Sequence, residues 1–84
     1  MEKFIRAREE LYGYLYDKYL ADDGPYCGGK ELEGLCETNR FIRSAVTFAK
    51  DMGHLKFNRF GGARLTGAGI LYAEKEYSEA NHGD

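Results

Sequence analysis

Arg40, Arg43, Ser44, Thr47 and Lys50 recur at helical intervals, each three or four residues from another of the set, with no acid among the five. On a helix that spacing gathers them on one face. Cations and hydroxyls so arranged suit recognition of an anionic polymer, because lysine and arginine meet phosphates and arginine also meets guanine edges. Lys56, Asn58, Arg59 and Arg64 follow around the pair Gly61-Gly62. There the glycines let a turn approach a surface closely.

Catalytic chemistry finds less to stand on. The sequence holds no nucleophile with a base, no phosphate-binding loop and no dinucleotide fingerprint, so no enzyme activity and no cofactor are expected. Cys27, Cys36, His54 and His82 lack the close pairing that a structural zinc site uses, and the cysteines read as reduced thiols. His54, just after Gly53, reads as a cation at the end of a helix.

Charge is distributed unevenly. The formal net charge is −2, yet residues 38–64 carry six basic residues against Asp51, a local net of +5 that leaves −7 for the rest. A ligand meets a face rather than an average, so this middle segment is the candidate surface. No apolar run reaches the roughly 20 residues of a membrane helix, and the charged start Met1-Glu2-Lys3 is unlike a secretory signal. A soluble cytoplasmic protein is the expectation.

These side chains need elements to hold them. Phe4, Ile5, Leu11, Tyr12, Leu15, Tyr16, Tyr19 and Leu20 make a helical stripe over residues 2–21, closed by Asp22-Asp23-Gly24-Pro25. A very short strand at Tyr26-Cys27 precedes a short helix over 30–36, and Thr38 or Asn39 caps the next helix. From Arg40 to Met52 the residues Phe41, Ile42, Ala45, Val46, Phe48, Ala49 and Met52 form an amphipathic stripe that Gly53 ends. Phe41, Ala45, Phe48 and Met52 are expected in the core. Leu55-Lys56-Phe57 and Ala63-Arg64-Leu65 alternate like strands of a hairpin, and Thr66 caps a last helix reaching about residue 79. Residues 1–77 form one domain with a polar tail over 78–84.

A short helix, a turn, a second helix and a hairpin make a helix-turn-helix followed by a wing. The run Leu65-Thr66-Gly67-Ala68-Gly69-Ile70-Leu71-Tyr72-Ala73-Glu74 is similar to the "Leu-Thr-x-x-Gly-Ile-x-Tyr-x-Glu" pattern of winged helix-turn-helix families among small bacterial and archaeal transcription regulators. Arg40 through Leu55 resembles their recognition helix and the approach to the wing. The likeness covers about half the chain, from Lys30 to Glu74.

It implies a mainly α fold with a small β-hairpin wing, a recognition helix over about 39–52 and a wing at 55–65. Arg40, Arg43, Ser44, Thr47 and Lys50 would then contact double-stranded DNA, with Arg59 supporting from the wing. By residue type and place, Asn39 at the start of the recognition helix and Lys56 and Arg64 on the hairpin join the expected contact set. A second reading docks the same basic face on an acidic protein partner. Tyr12, Tyr16 and Tyr19 share one side of the first helix, which suits either a tyrosine-rich core or a homodimer through the first and last helices.

Overall fold

The computed structural model describes residues 2–21 and 24–78. It is mainly helical, in the order α1 (Glu2–Leu20), α2 (Gly29–Thr38), α3 (Ile42–Asp51), β1 (Leu55–Phe57), β2 (Ala63–Leu65) and α4 (Gly67–Ala73). A π-helical turn, Glu74–Ser78, continues α4. Asp22 and Asp23 of the expected turn, and residues 79–84 of the expected tail, lie outside the described residues.

Helix α1 buries Ala7, Leu11, Tyr12 and Leu15, a strip at intervals of four, one and three residues. It packs on Ile42, Ala45 and Ala49 of α3, whose alanines let the two backbones come close. Leu55, Leu65, Ala73 and Cys27 complete the core. Leu11, Leu15, Ile42 and Leu65 are among the largest fully buried side chains, and each such burial contributes about 1.5–3 kcal/mol.

Strands β1 and β2 pair antiparallel, with Leu55 opposite Leu65 and Phe57 opposite Ala63. Cys27 adds a single-residue bridge to Ala63, exchanging both backbone hydrogen bonds at 2.8 and 2.9 Å. The short strand expected at Tyr26-Cys27 is therefore one bridge long. It ties the start of α2 to the hairpin.

The ends of α3 explain two departures from expectation. Helix α3 starts at Ile42 rather than Arg40, after a turn in which the Asn39 side-chain oxygen accepts from the Phe41 amide at 3.0 Å. Its buried strip is Ile42, Ala45 and Ala49, so Phe41 and Phe48 lie half-buried on the flank. Met52, expected in the core, is 53% exposed because it falls at the C-cap, beyond the last turn that α1 covers.

Gly53 then turns the chain with φ +75°, while the His54 amide donates to the Ala49 carbonyl at 2.8 Å. That is the helix-ending geometry a glycine favours. The turn swings His54 inward, to 6% exposure, instead of leaving it as a charged cap.

His54 joins a cluster of rings. The Tyr12 hydroxyl and His54 Nδ1 are hydrogen-bonded at 2.6 Å, and Tyr72 lies 4.7 Å from the imidazole, centroid to centroid. Tyr77 reaches Tyr12 and Tyr72 at 5.6 and 5.9 Å. The wide winding of the π-helical turn brings Tyr77 round to the side of Tyr72, five residues earlier. Burial pushes the His54 pKa down and those of Tyr12 and Tyr77 up, so all three are neutral near pH 7.

Helix α4 begins where the sequence places it. Thr66 Oγ1 accepts from the Gly69 amide at 3.1 Å and donates to the Gly53 carbonyl at 2.7 Å. A Cβ on Gly69 would stand 2.5 Å from the His54 carbonyl oxygen, so the close seating of α4 requires glycine there.

Candidate nucleic-acid interface

Arg43, Ser44, Thr47 and Lys50 project from α3 on the side away from the buried strip, and all four are exposed. Arg40 is exposed in the preceding turn, its guanidinium 5.1 Å from the Phe41 ring centre. Lys56 and Arg59 are exposed on the hairpin. None of these five cations on α3, its leading turn and the hairpin is ion-paired with another described residue. Their charge faces solvent.

Two expected contacts are engaged within the fold. Asn39 is half-buried, donating through Nδ2 to Glu10 at 3.3 Å while its oxygen holds the Phe41 amide. Arg64 is also half-buried, its Nε on the Leu65 carbonyl at 3.4 Å and its guanidinium 5.8 Å from the Tyr26 ring. Thr47 Oγ1 donates to the Arg43 carbonyl at 3.1 Å, which leaves its lone pairs to accept. Lys50 leans towards Phe57, 5.9 Å from the ring centre.

The surface is not flat. Helix α2, helix α3 and the hairpin tip border an open groove of about 710 Å³. Leu32, Cys36 and Val46 supply apolar lining, Lys30, Glu33 and Arg43 the charges, and Thr47 a hydroxyl. Phe60 and Gly61 form the third side. The α3 face and the hairpin tip, distant in sequence, thus look onto one concavity.

The groove keeps its shape through neighbouring contacts. Glu31 bonds Tyr14 and Lys18 of α1, the latter at 2.8 Å, and accepts from the Gly28 amide at 3.1 Å. Lys18, Tyr14 and that amide together hold the Glu31 carboxyl down to about 2. Helix α2 is thereby fastened to α1. At the other end, the Asn58 side-chain oxygen accepts from the amides of Phe60 and Gly62, both at 2.9 Å. Gly61 takes φ +83° to close the tip.

Sequence reasoning passed over Phe60, which is 76% exposed. Its signal was available: the phenylalanine precedes Gly61-Gly62 at a hairpin tip, where no side chain reaches the core. It also missed the inward turn of His54. That depends on the contact with Tyr12, 42 positions away.

As for metal chemistry, no group of three or more His, Cys, Asp or Glu side chains among the described residues could hold an ion. His82 lies outside them. No helix among the described residues is long and apolar enough to cross a membrane. Compared with family models, with curated proteins and with solved structures, the chain gives no match.

Proposed function

We propose that this chain is a winged helix-turn-helix domain that binds double-stranded DNA, with α3 as the recognition helix and the β1–β2 hairpin as a short wing. The observation that carries the reading is the exposed set Arg40, Arg43, Lys50, Lys56 and Arg59, not ion-paired with any described residue and spread over α3, its leading turn and the hairpin. The element order supports it, since a second helix of a helix-turn-helix lies in the major groove with its neighbours on the backbone. Arg43, Ser44 and Thr47 read base edges in this arrangement. Arg40, Lys50, Lys56 and Arg59 position the domain through phosphates. Asn39 and Arg64 shape the surface from behind. A regulator of transcription in the cytoplasm is the role that fits.

The test is a titration with random-sequence duplex at several salt concentrations. Four to six phosphate contacts per monomer give a log–log slope of about −4 to −5. Replacing Lys56 or Arg59 shallows that slope by about one and weakens all sequences alike. Replacing Arg43 relaxes sequence preference, at about 1–3 kcal/mol for a bidentate guanine contact. Absence of binding to duplex at low salt overturns the proposal and leaves an acidic protein partner as the occupant of the basic face.

A further inference from the structure

The exposed phenylalanine at the hairpin tip has no role in a purely electrostatic contact. Phe60 is 76% exposed, the largest exposure among the exposed large hydrophobic side chains described. Its position is fixed from two sides. Asn58 holds the loop amides, and the Phe60 carbonyl stands so close to Gly29 that a Cβ there would lie 3.0 Å away. The backbone is therefore anchored while the ring is offered outward.

The surroundings of that ring narrow down what it meets. The Arg59 guanidinium lies 5.1 Å from the ring centre, and Lys30 and Arg43 line the groove that Phe60 borders, against one acid there, Glu33. A hydrophobic peptide would satisfy the ring and not the cations. A phosphate surface alone would satisfy the cations and not the ring. Nucleic acid carries both phosphates and flat π-faces, and aromatic side chains among cations are how proteins stack on bases.

We infer that Phe60 is a base-stacking contact, inserted at a base step beside the site that α3 reads, with Arg59 on the adjoining phosphate. This inference rests on the DNA-binding reading and adds to it a deformation of the duplex. A side chain entering between bases partly unstacks the step, so flexible pyrimidine–purine steps are favoured at that position.

The chain contains no tryptophan, so Phe60→Trp introduces a single tryptophan at the tip, whose emission is excited apart from that of the seven tyrosines. Its emission is followed during titration with random-sequence duplex and, separately, with heparin, a polyanion without bases. Strong quenching by duplex and none by bound heparin is the expected result. In parallel, Phe60→Ala weakens duplex binding about tenfold, the typical loss of one aromatic–base stack, with the salt slope unchanged. Circular dichroism that matches the parent chain confirms that the exposed site tolerates both changes.

If duplex binds the Phe60→Trp variant with a steep salt slope and leaves its emission unchanged, stacking is overturned while DNA binding stands. If neither the parent chain nor the variant binds duplex at low salt, both are overturned. A blue shift that grows with protein concentration alone overturns the stacking contact in favour of a protein–protein one.

Discussion

Replacing Tyr12 by phenylalanine isolates one buried hydrogen bond. The ring is fully buried and survives the change, so the apolar area removed from water is almost unaltered. What disappears is the oxygen 2.6 Å from His54 Nδ1, in a residue only 6% exposed. The nitrogen is left without its partner, and an unsatisfied buried polar atom costs about 1–3 kcal/mol. Taking about 2 kcal/mol, and about 4–8 °C per kcal/mol for a domain this small, the midpoint falls by roughly 10 °C. Urea unfolding followed by circular dichroism measures the loss, with an unchanged m-value as the sign that only stability moved. Histidine NMR gives a second readout, because the His54 ring resonances shift when the hydroxyl goes. A loss below about 0.5 kcal/mol would refute the reasoning, since that is the scale of an exposed substitution.

Two further outcomes follow from contacts already described, and a third tests assembly. Stability falls with acid in two windows: His54 has a folded pKa below its ordinary 6.5, so its contribution is full above 6.5 and is lost as pH drops from there towards the folded value. Glu31 adds a second loss between 4.5 and about 2, and in urea titrations Glu31→Gln flattens only that lower limb. Gly69→Ala drives a Cβ into the His54 carbonyl and lowers stability by about 1–3 kcal/mol in thermal melts, whereas Gly67→Ala, which meets nothing, does not. If the first and last helices form a homodimer, sedimentation at micromolar concentration gives twice the monomer mass and Tyr19→Glu, at a 44%-exposed position, returns it to monomer; a monomer at millimolar concentration sinks that assembly.

The elements were legible wherever a local signal was strong. Gly53 ended α3 and Thr66 began α4 because caps act within a turn of where they sit. The cationic face of α3 was equally readable, being a matter of helical phase. Phase alone did not rank Phe41, Phe48 and Met52 below Ile42, since the stripe is wide and only the position of α1 decides its centre. The neighbours of His54 in sequence describe a helix end, while its surroundings in the fold come from Tyr12 and Tyr72. The π-helical turn carried no sequence signal that distinguishes it from ordinary helix. Asn39 and Arg64 share the residue types of the surface set, yet their side chains were claimed by Glu10 and Leu65.

The bridge between Cys27 and Ala63 has a consequence for chemical labelling. The Cys27 thiol is wholly buried and burial pushes it up to about 11, so at neutral pH it offers an alkylating reagent neither access nor thiolate. Cys36 lies half-buried along the groove, so it is the thiol expected to react first in the native chain. Iodoacetamide therefore adds one carbamidomethyl group early, and the second waits for the backbone pair at Ala63 to part. The delay between the two mass increments is a clock for opening of that bridge, read by mass spectrometry without any substitution.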